Sequence, residues 1–265
     1  METSQNLTTA NLHKLQIEVL SALFRAQSDD SLVLKGGWAM QANYGVSRYT
    51  KDIDLAAPEK ANSGTIKRRI NRALHSVMTS GLASDFAVSE SKQTGTTQRW
   101  KLSAKVDGEP IHLTIEVSKR QTVPPSSIVD VAIQRGDGTS VNASSYSPPM
   151  LAAAKFACIL DPKRTAPRDA FDLKVLIDNG AKPDADQMSM LARHPNFTTD
   201  FLASKLDTMS WDVVRTELVP YLDPSVYFSE NDWEEMKNVV FSELSSWIEN
   251  FAPKDDVADG GPKPK

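Results

Sequence analysis

The spacing of apolar residues divides the chain into a mixed first half and a helical second half. Leu12, Leu15, Val19, Leu20 and Leu23 recur at helical intervals, predicting an amphipathic helix over 9–27. A short apolar run at 32–34 ends in Lys35-Gly36-Gly37, and 38–44 then fits one to two helical turns stopped by Gly45. In 49–55, Ile53 and Leu55 share one face and Asp52 and Asp54 the other, the pattern of a half-buried strand. A helix over 64–80 follows, built on Ile66, Ile70, Leu74 and Val77.

Three strands are predicted next, at 86–90, 97–106 and 111–117, the last two joined by the turn Asp107-Gly108. In the third, Ile111, Leu113, Ile115 and Val117 face one way, and His112, Thr114 and Glu116 the other. Residues 118–149 are rich in Pro, Ser and Gly and read as loop with one strand near 128–133. From there on the pattern is helical: 149–160 and 167–180, each opened by a proline, then 185–193, 198–206, 209–220 and 230–251. The tail 253–265 is polar, rich in Pro and Gly, and expected to be disordered. The expectation is an α+β fold, with a catalytic unit over 1–147, a helical C-terminal domain over 148–252, and a ligand cleft between them.

Composition narrows the class. The 265 residues are 40% hydrophobic and 24% charged, ordinary values for a globular protein. No apolar run is long enough to cross a bilayer, and METSQNLTT lacks the basic and apolar regions of a secretion signal, so a cytoplasmic location is expected. The single cysteine, Cys158, sits among apolar residues and reads as a small core residue. A net charge of −4 argues against a strongly basic nucleic-acid binder while leaving room for a local patch. Lys67, Arg68, Arg69 and Arg72 form one such cluster, either a solvated helix face or a set of phosphate contacts.

The chemistry concentrates between Gly36 and Asp54. Adjacent glycines let the backbone approach a ligand, and amides in such a turn can hold an anion. Two carboxylates projecting together repel one another unless a cation or a proton lies between them. A hard divalent cation takes a few carboxylates and completes its shell with substrate phosphates. Fourteen residues separate Gly37 from Asp52. Glu116 is the only acid on the polar face of its strand, which makes it the candidate third carboxylate; the alternatives are an exposed strand residue or a partner for Arg48 or Lys119. Lys155 lies in an apolar helix, where it must snorkel, pair or work. On the next helix Arg168 and Asp172 are four apart and could pair, while Asp169 could orient Lys155.

KGG at 35–37, Arg48 in SRYTKDIDL, Lys155, and PRDAFDL at 167–173 together resemble the AbiEii/AbiGii toxin family of nucleotidyltransferases, to which the mycobacterial MenT toxins belong. The resemblance covers roughly residues 30–180. It implies a polymerase-β-like nucleotidyltransferase fold, with Mg²⁺ or Mn²⁺ held by Asp52, Asp54 and Glu116. It implies an NTP bound by Gly36, Gly37, Arg48, Lys155 and Arg168, with Lys155 on the phosphates and Asp169 in the site. The implied function is the toxin of a toxin–antitoxin or phage-defence system that moves NMP from an NTP to an acceptor such as the tRNA 3′ end. Its partners would be an RNA acceptor and an antitoxin from a neighbouring gene, with no membrane. The alternatives are transfer to a protein or small molecule, and a non-catalytic NTP-binding module. Trp38 stands where the family often has Ser or Thr.

Overall fold

The computed structural model describes residues 2–25, 32–120 and 123–251; the end of the first predicted helix and the predicted tail lie outside them. The elements run α1 (Glu2–Arg25), β1 (Val33–Lys35), α2 (Gly36–Tyr44), β2 (Asp52–Ala56), α3 (Ser63–Thr79), β3 (Ser84–Gln93), β4 (Thr97–Val106), β5 (Glu109–Ser118), β6 (Ile128–Gln134) and β7 (Ser140–Tyr146). Six helices follow: α4 (Pro148–Leu160), α5 (Pro167–Asp178), α6 (Ala185–Leu191), α7 (Thr199–Asp207), α8 (Trp211–Glu217) and α9 (Glu230–Phe251). The α+β expectation holds.

The seven strands form one mixed sheet in the order β3-β4-β5-β2-β1-β7-β6. β2 lies parallel to β5 and antiparallel to β1, so the strand of the paired aspartates is central. Alternation decides which face each residue takes. Trp100, Leu102, Leu113, Ile115, Ile53 and Leu55 are buried with Leu15, Val19 and Leu20 of α1 and Ile66, Ile70 and Leu74 of α3. Removing each such side chain from water contributes roughly 1.5–3 kcal/mol. The opposite face of β4 and β5 carries Arg99, Lys101, Ser103, His112, Thr114 and Glu116, none of them buried. Asp107 and Gly108 have φ of 51° and 84°, the left-handed pair that a tight two-residue hairpin requires.

Two expectations are corrected. Residues 118–149 hold two strands, not one, and β6 and β7 form an antiparallel hairpin on the sheet's edge. β7 escapes detection because its interior is small and polar: Ser144 and Ser145 are buried, and Ser145 faces Leu34 of β1. The Ser145 hydroxyl accepts a hydrogen bond from Asn43 Nδ2 at 2.9 Å, so no apolar alternation is needed there. The second correction concerns the glycines. They open α2 rather than precede it, since the helix begins at Gly36.

The helical half packs on itself through Phe156, Leu173, Leu176, Leu202, Trp233, Val240 and Leu244. Trp233 Nε1 donates to the Met209 carbonyl at 2.9 Å, satisfying its one polar atom. The single turn Val219–Tyr221 reaches back to the segment that leads into β2. Tyr49 N–H donates to the Tyr221 carbonyl at 2.6 Å and Asp223 N–H to the Ser47 carbonyl at 2.9 Å, with Arg48 and Leu222 forming an antiparallel bridge.

Candidate active site

Strand register assembles the acids. Asp54 stands opposite Glu116 on β5 and opposite Lys35 on β1, while Asp52 stands opposite Thr114. Residues directly opposite share a face, so three carboxylates and one lysine converge on the same side of the sheet. Asp52, Asp54, Arg99, Lys101, Thr114 and Glu116 line a cavity of about 280 Å³. Glu116 is paired, but neither with Arg48 nor with Lys119. Arg99 Nε and Nη2 both donate to its Oε2, at 2.9 and 2.5 Å. Lys119 instead donates to the Ala61 carbonyl and the Ser63 hydroxyl.

The Asp54 side chain makes no hydrogen bond or ion pair to any described residue. Desolvation pushes its carboxyl above the ordinary range. Lys35 and Lys155 oppose that shift, and Asp52 and Glu116 add to it. A carboxylate so placed is short of positive charge. Among the described residues no three acidic, His or Cys side chains close into a ready-made metal cage. The donor set is instead open: Asp52 exposed, Asp54 half-buried, and Glu116 with one oxygen turned to Arg99. That suits a small hard cation, which binds through one or two carboxylates and leaves positions for water and phosphate.

The glycines abut these acids. Gly36 has φ +63°, and a Cβ there would stand 2.7 Å from Asp54 Oδ2. A Cβ at Gly37 would stand 2.6 Å from Thr50 Oγ1. Both positions therefore exclude a side chain, and α2 meets the strand of the aspartates directly. No side chain caps this helix, so the first-turn amides lack intrahelical partners and carry the positive end of the dipole. Trp38 points the other way, buried and stacked on His13 with ring centroids 5.1 Å apart. Only its amide belongs to this end of the helix.

A second group of charges lies behind Asp54. Lys155 Nζ donates to Asp169 Oδ1 at 2.8 Å and pairs with Asp172 Oδ2 at 2.6 Å. The Lys155–Asp169 pair anticipated from the sequence is thus present. Arg48 grips Asp172 through Nε at 2.6 Å and Nη2 at 2.5 Å, and Arg164 Nε reaches Asp169 Oδ2 at 2.6 Å. Arg48, Lys155, Asp169 and Asp172 are all buried. Burial opposes ionising Asp169 and Asp172, but Lys155 with Arg164, and Arg48 with Lys155, outweigh it and hold both carboxyls below the usual range. Burial alone would lower the Lys155 pKa; the two aspartates reverse this and raise it. Three cations against two anions leave one positive charge in excess, within electrostatic reach of Asp54 through Lys155 and Arg164.

Other predicted residues are placed differently. Arg48 contacts Asp172 rather than the β2 acids. Arg168 does not pair with Asp172; its guanidinium lies 5.6 Å from the centre of the Tyr221 ring, which Lys51 Nζ also approaches at 4.3 Å.

The family described as nucleotidyl transferase AbiEii toxin, type IV toxin–antitoxin system, matches residues 18–250. The chain belongs to this family. It is a nucleotidyltransferase. The AbiEii chain is similar to the structure of JHP933 from Helicobacter pylori, at 21% identity, a TM-score of 0.53, and coverage of 93% of this chain and 94% of that one. It is likewise similar to a candidate nucleotidyltransferase from H. pylori, at 21% identity, a TM-score of 0.55, and coverage of 90% and 97%. These likenesses concern the fold. No curated protein matches the sequence.

Three residues of this AbiEii site escaped the sequence reading: Arg99, Arg164 and Tyr221. Arg99 had a usable signal. Pairing across the Asp107-Gly108 turn, counted back strand by strand, sets Arg99 opposite Glu116. Arg164 lies in the connection between α4 and α5, where no periodicity operates. Tyr221 arrives from far along the chain through backbone pairing alone.

Proposed function

We propose that this AbiEii chain transfers a nucleoside monophosphate from an NTP to an acceptor, the tRNA 3′ end, with Mg²⁺ or Mn²⁺ held by Asp52, Asp54 and Glu116. The observation that carries this reading is the abutment of the uncapped α2 N-terminus on Asp54, itself level with Glu116 and Lys35. A bound divalent cation would supply charge neutralisation between the phosphates and activation of the attacking hydroxyl. The amides of Gly37 and Trp38 would receive phosphate oxygens, as helix N-termini do. Lys35, Lys155 and Arg164 would offset the charge that develops on the leaving pyrophosphate. Asp169 and Asp172 hold Lys155 charged and oriented, and Arg48 completes that group from behind. Arg168, beside Tyr221, would meet the nucleotide from the helical half. An antitoxin partner follows from the family's toxin–antitoxin character.

The test is incubation of purified protein with Mg²⁺, labelled NTPs and total tRNA. Label should enter tRNA with wild-type protein and be lost with Asp52→Ala and Asp54→Ala. Transfer that persists in both variants overturns the roles given to these acids. Label found on protein or small molecules alone overturns the acceptor.

A further inference from the structure

The geometry points to the open face of β3, β4 and β5 as the seat of the acceptor strand, gripping the sugar–phosphate backbone of a single-stranded RNA end. This rests on the nucleotidyl-transfer reading above. A shallow groove of about 540 Å³ crosses this face, lined among others by Ser89, Lys101, Ser103, His112 and Thr114. Lys101 and Thr114 also line the cavity of the three carboxylates, so groove and cavity are continuous. Glu116, Thr114 and His112 occupy successive same-face positions on β5, which extends the groove roughly 13 Å from the acids.

Two arguments select the occupant. The first is direction. Displacement at phosphorus is in line, with the attacking and leaving oxygens on opposite sides. The features suited to a triphosphate, Lys35, the α2 N-terminus, Lys155 and Arg164, lie on the β1 side of Asp54. The attacking hydroxyl must then arrive from the β5 side, where the groove opens. The second is chemistry. The lining offers three hydroxyls, an imidazole and a lysine beside the aliphatic Ala87, Val88, Leu102 and Leu113, and no Phe, Tyr or Trp. Lys101 has no ion-pair partner among the described residues, and Arg99 and Lys92 stand beside each other on the neighbouring register. Hydroxyls and cations are what bind phosphate and sugar, whereas base readout by stacking needs aromatic platforms. The groove therefore holds the backbone and leaves the bases outside.

The experiment is fluorescence anisotropy with a short labelled single-stranded RNA at low salt, followed by a salt titration, on wild-type protein and on Lys101→Glu, His112→Asp and Lys101→Arg. Lys182→Glu, on the exposed connection between α5 and α6, serves as a charge control. Lys101→Glu should weaken RNA binding about tenfold and reduce the salt slope by about 0.7, the value for one single-strand phosphate contact. Lys101→Arg and Lys182→Glu should bind as wild type does, and changing the RNA bases should alter affinity by less than about threefold. NTP affinity, read by calorimetry with Mn²⁺, separates the two claims. If NTP binds but RNA does not, or if Lys101→Glu and Lys182→Glu weaken RNA equally, the groove assignment falls and the transferase reading stands. If NTP does not bind, the transferase reading falls first.

Discussion

The molecule holds two clusters of carboxylates that differ in how their charge is matched. Asp169 and Asp172 are buried and fully partnered by Lys155, Arg48 and Arg164, and their carboxyls are driven down. Asp52, Asp54 and Glu116 line an open cavity with Arg99 and Lys101, neither of them paired with Asp54, and the Asp54 carboxyl is driven up. The first cluster is charge-matched within the protein, which holds Lys155 and Arg164 in place within electrostatic reach of Asp54. The second is left short of positive charge, which is the condition under which a site recruits a cation from outside. The same residue type therefore has opposite thermodynamic consequences on β2 and on α5.

The sharpest way to test the contrast is to make the same substitution in both clusters. Asp54→Asn should lower transfer on the order of a thousandfold, about 4 kcal/mol in the barrier. Its melting temperature should hold or rise, because the group removed lacked a partner. Asp172→Asn should instead lower stability by about 3 kcal/mol, because Arg48 and Lys155 would remain buried with one anion between them. Thermal melts and labelled-NTP transfer on both proteins check the pair. Equal destabilisation by the two substitutions would erase the distinction.

A smaller effect is expected at the boundary between the clusters. Gly36→Ala places a methyl group against Asp54 Oδ2 at a left-handed φ, a backbone cost of about 1–2 kcal/mol. Denaturant titration should register that loss, with activity falling further because Asp54 is displaced. The smallest effect is in pH. The folded pKa values of Asp169 and Asp172 lie below their unfolded ones, so the unfolded chain binds more protons in acid. Their contribution is complete above about pH 4 and is lost as pH falls through the lowered folded values. Melting temperature followed from pH 7 to pH 3 should drop below about pH 4 in wild type and more gently in Asp172→Asn.

Much of this was legible in the sequence, for reasons that also explain the gaps. Strand alternation placed Asp52, Asp54 and Glu116 on polar faces because Ile53, Leu55, Ile115 and Val117 had to be buried. Proline placement marked the starts of α4 and α5 closely. β7 was invisible because four successive positions, Ala143 to Tyr146, are buried and the middle two are serines, which leaves no apolar alternation to read. Lys155 was conspicuous as a charge in an apolar helix, whereas its second partner, Asp172, is shared with Arg48 more than a hundred residues earlier, a contact no local pattern encodes. Arg164 on its loop gave no signal of any kind. The glycines were noticed for their freedom, yet what the structure asks of them is the absence of volume beside Asp54 and Thr50.

The turn Val219–Tyr221 carries one more consequence. Its pairing with residues 47–49 fixes the entrance to β2 and brings Tyr221 under Lys51 and Arg168. The register of the aspartates themselves is set by β1 and β5, both complete by residue 118, whereas the segment that leads into them is held by backbone made about 170 residues later. The acids can therefore be in register before their entrance is fixed, and Lys51 and Arg168 meet over Tyr221 only when the helical half is in place.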